Sequence, residues 1–501
     1  MIDNTKPFDL FIIGGGINGC GIARDAAGRG HSVYLCEQDD LASHTSSASS
    51  KMIHGGLRYL EYYEFRLVRE ALAERDVLLN IAPHLIEPLR LIIPHNKLQR
   101  PHWMVRIGIW LYDHLGFHFG KKSRLPKSKA ISLIDSVEGK PIKDSMARAF
   151  AYSDCKVDDA RLVVANAKSA QQLGASINTR TQFVTAKREN GLWHCTVKNS
   201  TGEYTITAKA IVNAAGPWVD KVVKNQLPIT TQHHIRLIKG SHIVVPKCYD
   251  GNHAYLLQNK DNRVVFVIPY HDDFTMIGTT DILFEGNPSS VDISQDEIDY
   301  LCEAVNDYFK QAISADDIVN TWSGVRPLQA DEADNPSAVT RDYVLEVEED
   351  DNHQLPVLSI FGGKITTYRK LAEHAMQKLE RYFPEQAKAW TDQDALPGGD
   401  MLNANFEQFL AELQSQYVWL PESLSARLAH AYGTDAYTLL GDASNMGDLG
   451  RNFGANLYNI EVDHLIKHEW AHTTDDILWR RTKLGLWFTD EQVAELAAYL
   501  K

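Results

Sequence analysis

The feature that most limits how this chain can fold is Gly14-Gly15-Gly16-Ile17-Asn18-Gly19, a G-x-G-x-x-G run directly after the apolar stretch Phe8 to Ile13. That stretch is long enough for one buried strand. Residues 17–29 have helical length and end at Gly28-Arg29-Gly30, a helix stop. Ser32 to Glu37 reads as a second buried strand. Strand, turn, helix and strand within about 30 residues form a βαβ unit, which demands a parallel sheet. Each glycine has a task. Gly14 permits the tight turn, Gly16 lets a pyrophosphate approach the backbone, and Gly19 lets helix pack on strand. The helix start, at Ile17 and Asn18, offers unpaired N–H groups and a positive dipole end to phosphates.

Glu37 lies 18 residues after Gly19, at the end of the second strand. An acid there accepts from ribose hydroxyls and favours a free 2′-OH, as in FAD or NAD. The motif does not separate these two cofactors. The next segment, Thr45-Ser46-Ser47-Ala48-Ser49-Ser50-Lys51, is dense in small hydroxyl groups. Ser46, Ser47, Ser49 and Ser50 suit the pyrophosphate and ribityl oxygens of an extended FAD, and a solvated Ser/Thr loop is the alternative.

A chain of 501 residues suggests two to four folding units. With 51 Lys+Arg against 65 Asp+Glu, the net charge of −14 argues against non-specific nucleic-acid binding, which needs a basic face. The six cysteines show no C-x-x-C spacing, so no metal-binding set is expected, and scattered thiols suggest a reducing compartment. Residues 1–7 have no leader-like apolar run, and no apolar run approaches the ~20 residues of a membrane span. The expectation is a cytoplasmic protein, soluble or peripherally attached.

Residues 61–82 read as one long amphipathic helix. A mostly antiparallel substrate sheet is expected from Trp193–Val197, Ile211–Asn213, His242–Val245, Arg263–Ile268 and Val357–Phe361, with an acidic hairpin tip at 348–352. Pro397-Gly398-Gly399 marks a boundary, beyond which 402–417, 421–432, 457–473 and 476–501 carry helical patterns. The expected division has a helical domain at 400–501 and two interleaved domains at 1–399. Cofactor binding falls mainly to 8–60, 150–220 and 355–385, and substrate binding to 61–149 and 221–354.

The stretch from Ile13 to Gly30 resembles the first signature of FAD-dependent glycerol-3-phosphate dehydrogenases, and Gly362-Gly363-Lys364-Ile365-Thr366-Thr367-Tyr368-Arg369-Lys370-Leu371-Ala372 resembles their second. Between them, His54-Gly55-Gly56-Leu57-Arg58-Tyr59-Leu60, Asn213-Ala214-Ala215-Gly216-Pro217-Trp218, Lys239-Gly240-Ser241-His242 and Ser323-Gly324-Val325-Arg326-Pro327 are similar to family segments in the same order. The bacterial aerobic, quinone-reducing type is the nearest in length. The resemblance implies an α/β FAD-binding domain, Rossmann-like and of glutathione-reductase/amino-acid-oxidase type. To this it adds a mostly antiparallel substrate domain and a C-terminal all-α domain. It also implies oxidation of sn-glycerol 3-phosphate to dihydroxyacetone phosphate, with hydride leaving C2 for flavin N5 and electrons passing to a membrane quinone. His54, Gly55, Gly56, Ala215, Gly216, Gly363, Lys364 and Thr366 are then expected near the flavin, and no metal is.

A phosphate near −2 needs fixed cations, and the arginine fork binds two oxygens at once. The candidates are Arg58, Arg326, Arg341 and Lys364, with the Tyr59 hydroxyl beside them. Loss of the alcohol proton calls for a base titrating near neutrality. His242 is the first choice and His54 the second. Arg326 or Lys364 beside the C2 oxygen would stabilise a developing alkoxide, and an arginine-assisted route without a histidine base stays open.

Residues 95–130 hold eight Lys/Arg and one acid, Asp113, interleaved with Trp103, Met104, Ile107 and Trp110. Such a segment suits the headgroup region of the cytoplasmic face of an inner membrane, and a core helix with a basic loop is the bland alternative. A homodimer is compatible with this reading. Three other functions compete: an oxidase on the same fold that makes peroxide from oxygen, a non-catalytic flavoprotein, and a pyridine-nucleotide enzyme.

Overall fold

The structure is a computed structural model that describes residues 6–95, 101–116, 123–231, 233–261, 263–329, 342–352, 354–385 and 387–501. Strand β1 (Phe8–Ile13) is buried from Leu10 onward and opens helix α1 (Ile17–Gly28), which leads to strand β2 (Val33–Cys36). β1 lies between β2 and Gly202–Asn213, parallel to both, and Gly202–Asn213 is parallel in turn to Val357–Phe361. The register sets Ile13 against both Cys36 and Asn213, and Asn213 against Ser359. The carboxyl ends of four neighbouring strands therefore line up at one crevice, where ligands bind in open α/β sheets.

This eight-stranded sheet runs Val344–Glu348, Val357–Phe361, Gly202–Asn213, β1, β2, Ser176–Asn178, with Gln182–Glu189 and Leu192–Asn199 as an antiparallel extension. Val344–Glu348 and Val357–Phe361 form a hairpin whose turn holds the acidic run. The expected composition of the substrate sheet is thereby corrected. Leu192–Asn199, Gly202–Asn213 and Val357–Phe361 belong to this first sheet: Gly202–Asn213 pairs with the distant β1 and Val357–Phe361, Leu192–Asn199 joins it as its hairpin partner, and local pattern carries no record of the distant pairing.

The second sheet has ten strands and is antiparallel except where Ala254–Gln258 meets Ile86–His95. It contains Ile235–Pro246 flanked by Asn320–Gln329, so that Gly240 faces Gly324 and His242 faces Trp322. Met52–Ile53 and Arg148–Val157 also lie here, the first and all but the two opening residues of the second inside the ranges expected of the cofactor domain. From Arg148–Val157 the chain returns to the first sheet through the helix Asp159–Gln172, which covers α1.

Helix α2 (Phe65–Ile81) starts later than expected, because Tyr63 takes a left-handed conformation (φ 59°) after the 3-10 turn Leu57–Tyr62. Helix α3 (His102–Leu115) buries Ile109 and Tyr112. Helix α4 (Asp159–Gln172) is capped by the Asp158 carboxylate, which accepts from the Arg161 N–H. The C-terminal region has its own apolar core around Leu413, Leu428, Leu457 and Leu465. Its helices are shorter than the sequence pattern suggests. A two-stranded ribbon, Asn452–Gly454 with Leu457–Tyr458, interrupts them. The expected helix 476–501 breaks into a π-turn Asp476–Arg481, a 3-10 turn Leu484–Leu486 and the helix Asp490–Tyr499, with Lys483 left-handed at the break. No helix among the described residues is long and apolar enough to cross a membrane.

Candidate active site

One cavity runs along the crevice, walled on one side by the first sheet and on the other by the second. The first wall begins at the glycine turn. Gly14 has φ +106°, and a Cβ there would sit 2.5 Å from the Ala214 carbonyl oxygen. Gly14, Gly16, Ile17 and Asn18 line the cavity. Gly19 does not. A Cβ there would lie 2.0 Å from the Gly14 oxygen, so this glycine keeps helix and turn in contact. The start of α1 has no side-chain cap, although Ser46 Oγ accepts from the Ile17 N–H.

Glu37 faces the cavity while its two carboxylate oxygens accept from the backbone N–H of Gly15 (2.6 Å) and of Asp39 (2.9 Å). Burial pushes its pKa up, against the pull of those two amides. Ser46, Ser49 and Ser50 line the cavity, whereas Ser47 turns to the His44 carbonyl. Ser49 Oγ donates to Asp159, whose carboxylate also takes the Lys51 ammonium at 2.9 Å. Ala215 and Gly216 complete this wall with Trp218, whose ring stands edge-on to His44 at 4.7 Å.

The second signature returns beside the glycine turn. Gly363 has φ +104°, and a Cβ there would meet the Asn18 amide at 2.8 Å. Lys364 lies 3.9 Å above the Tyr59 ring, and Thr366 Oγ1 accepts from the His54 N–H at 3.2 Å. All four of Tyr59, His54, Lys364 and Thr366 line the cavity. Gly55 and Gly56 do not. The Gly55 N–H donates to Tyr112 Oη at 2.7 Å, and a Cβ on Gly56 would strike the Tyr59 ring at 2.1 Å. Their contribution is to fold the 54–59 segment. Arg58 is half-buried but does not line the cavity, and Arg341 lies outside the described residues.

The second sheet supplies Gly240, His242, Thr279, Gly324 and Arg326. The Arg326 guanidinium donates to Asp281 at 2.6 Å and to the Thr280 carbonyl at 3.0 Å. It lies over Gly240, where a Cβ would come within 2.6 Å of it. His242 Nε2 is 2.9 Å from Ser50 Oγ, the ring stacks on Trp322, and buried Nδ1 has no hydrogen-bond partner. Burial, then Lys51 and Arg326, drive its pKa down to about 3. A base titrating near neutrality is thus not what the protein alone provides. Burial and the convergence of two cations distant in sequence hold the ring neutral, and local sequence carries no sign of that convergence.

An extended dinucleotide fits this cavity. Asn18 Oδ1 and Ser43 Oγ line it and are buried without a hydrogen-bond partner. The uncapped start of α1 points the same way, as do the bare backbone at Gly14 and Gly363 and the carboxylate of Glu37. Phe183, Thr279 and the Lys51–Asp159 pair escaped the sequence reading, and no local pattern singles them out. Trp218 and Gly240 stood inside quoted motifs.

Known proteins share this architecture. Residues 9–352 match the family described as "FAD dependent oxidoreductase", and residues 389–500 match the "C-terminal domain of alpha-glycerophosphate oxidase". A glycerol-3-phosphate dehydrogenase of Pseudomonas aeruginosa is 54% identical, over 99% of this chain and 96% of its own. A D-erythritol 1-phosphate dehydrogenase of Brucella abortus is 52% identical, over 98% and 97%. The crystal structure of the Bacillus halodurans glycerol-3-phosphate dehydrogenase complexed with FAD superposes with a TM-score of 0.77 at 26% identity, covering 98% of this chain and 89% of that one.

Proposed function

The chain belongs to the family of FAD-dependent glycerol-3-phosphate dehydrogenases, and from that premise we propose that it oxidises sn-glycerol 3-phosphate to dihydroxyacetone phosphate and delivers the electrons to a membrane quinone. Its cofactor is FAD. When bound, FAD supplies the hydride acceptor and the onward electron carrier. The observation that carries the reading is the meeting of Arg326 and Lys364, with Tyr59 between the two sheets, on one cavity beside the glycine turn.

Gly14, Gly16, Ile17 and Asn18 hold the pyrophosphate at the head of α1, and Glu37 accepts from the ribose. Ser46, Ser49 and Ser50 face the middle of the dinucleotide. Ala215, Gly216 and Gly363 close on it without bulk, and His54 and Thr366 flank it. Arg326 and Lys364 bind the substrate phosphate and the C2 oxygen between them. Their charge lowers the cost of an alkoxide, and that of Arg326, after burial and Lys51, also depresses His242. His242, neutral, accepts the hydroxyl proton at a ring nitrogen. A bound phosphate offsets the Arg326 charge, which raises the basicity of the ring as substrate enters.

Helix α3 supports a place at the membrane surface. Trp103, Met104, Ile107 and Trp110 are 62%, 45%, 55% and 55% exposed and recur at i, i+1, i+4 and i+7, one face of the helix. A face of this kind, with Arg106 on the same helix, fits the acyl–headgroup boundary of an anionic bilayer. Lys97, Arg100, Lys121 and Lys122 of the same basic stretch lie outside the described residues.

The test is anaerobic addition of glycerol 3-phosphate to the purified yellow protein, with D-erythritol 1-phosphate in parallel. Rapid bleaching by the first, followed by reoxidation with a quinone faster than with oxygen, is the expected result. Bleaching by the four-carbon phosphate alone overturns the substrate, and reoxidation faster with oxygen overturns the acceptor.

A further inference from the structure

The C-terminal domain carries three cations close together, Arg480, Arg481 and Lys483, at the π-turn Asp476–Arg481 and the left-handed residue that ends it. None is spent on the domain's own solvated surface. Arg481 is fully buried and forks onto Asp40, 2.8 Å to each carboxylate oxygen, while also donating to the Glu469 carbonyl. Arg480 donates to the same Asp40 at 2.6 Å. Lys483 reaches Asp158, the cap of α4.

Both carboxylates belong to the cofactor half of the chain, and they flank one segment. Asp40 follows Glu37 by three residues. Asp158 adjoins Asp159, which holds Ser49 and Lys51 at the far end of the same segment. A fourth contact closes the pattern. The Arg180 side chain pairs with Asp476 of the π-turn, while the Arg180 backbone N–H donates to the Asp39 carbonyl at 2.8 Å. Residues 39–51 are thus gripped at both ends from outside the cavity, and Ser43, Ser46, Ser49 and Ser50 of this segment face into it.

Net stability is a poor reason for such an arrangement. A buried ion pair roughly cancels its own desolvation cost, and apolar packing of the same volume does as well or better. What a fork onto a carboxylate supplies is direction. Burial of Lys483 lowers its pKa and Asp158 pulls the other way, as expected of a cation kept inside for its partner.

We infer that the C-terminal domain is a clasp for the cofactor segment, with Arg480, Arg481 and Lys483 as positioning residues that hold Glu37–Lys51 in its FAD-binding shape. The inference rests on the dinucleotide placement given under Proposed function. Without the clasp the glycine turn and α1 remain intact, and the loss falls on retention of the adenosine and pyrophosphate half.

The experiment follows FAD release from the holoenzyme by the rise of free-flavin fluorescence, with hydrogen exchange of amides 38–50 as a second readout. Arg481→Gln and Asp40→Asn are expected to speed release about tenfold or more, and Arg481→Lys, which keeps the charge and loses the fork, by an intermediate factor. The control is Arg427→Gln, which breaks the Arg427–Glu461 pair inside the C-terminal core and should lower the melting temperature while leaving release within about twofold. If Arg481→Gln does not fold, Arg480→Gln, whose side chain is 16% exposed, makes the same comparison. Release and exchange unchanged in the Asp40 and Arg481 variants overturn the clasp, as does an equal effect of Arg427→Gln. Glu37→Ala separates the two levels. Faster release there with no change in the clasp variants sinks the clasp alone, and no change in either sinks the dinucleotide placement as well.

Discussion

Replacing Arg326 by alanine should abolish most catalysis without costing the protein its flavin. The guanidinium faces the cavity from Asn320–Gln329, a strand of the second sheet, whereas the glycine turn and Glu37 belong to the first. Two charge-assisted hydrogen bonds to a phosphate or alkoxide oxygen contribute roughly 1.5–3 kcal/mol each, so their loss removes about 3–6 kcal/mol. At about 1.4 kcal/mol per decade, kcat/KM falls by roughly 10² to 10⁴. A second effect must be separated from this one. The Asp281 side chain is only 11% exposed and loses one charged partner at 2.6 Å, which costs about 1–3 kcal/mol of stability. The double variant Arg326→Ala/Asp281→Asn removes the carboxylate charge that faced the guanidinium. It should regain most of the melting temperature and none of the activity. The assay is anaerobic flavin reduction over a substrate series, with the ratio of flavin to protein absorbance measured on each preparation. Turnover near that of the parent at saturating substrate refutes the assignment of Arg326. So does recovery of activity in the double variant, which would make the single defect one of folding.

Gly14→Ala puts a Cβ 2.5 Å from the Ala214 carbonyl in a backbone conformation reserved for glycine, so a colourless protein is expected, and a yellow one with normal flavin content contradicts the turn geometry. Trp103→Ala with Trp110→Ala should weaken sedimentation with anionic vesicles by roughly tenfold per residue, given about 1–2 kcal/mol for each half-exposed indole, and unchanged sedimentation at normal flavin content removes α3 from the interface. Glu469 is fully buried, and although burial opposes it, Arg161 and Lys168 hold its pKa down to about 2. Its folded pKa is below the unfolded one, so its contribution is complete above about pH 4.5 and is lost as pH falls through about 2, a difference of about 3 kcal/mol. Denaturant melts of Glu469→Gln should lack that portion of the acid dependence, and a parallel profile for parent and variant would contradict it.

Local pattern revealed the parts of the fold that are local. β1, the glycine turn, α1 and β2 follow one another within a few turns of chain, and each residue's task can be read from its neighbours. Pairing across the chain left no such trace. Arg148–Val157 looks the same whichever sheet receives it, and its place beside Ile86–His95 depends on a strand more than 50 residues away. The site divided the same way. Lys364 and Arg326 stood out because they sit among glycines, while Arg58 shared that context and points elsewhere. The pair Lys51–Asp159 and the stacking of Trp322 on His242 join residues about 80 to 110 positions apart. Burial, Lys51 and Arg326 set the electrostatics of the imidazole, so its low basicity was beyond any reading of residue type.

Because the cavity borrows one wall from each sheet, its two halves answer to different constraints. The dinucleotide half is fixed by bare backbone at the glycine turn, where an atom added to Gly14 or Gly19 collides with a neighbouring carbonyl. The facing half is made largely of side chains on antiparallel strands, where His242 and Arg326 project from regular backbone and can be exchanged without disturbing a turn. A substitution on the facing wall can therefore reshape the space over the flavin end while the glycine turn that receives the dinucleotide keeps its path.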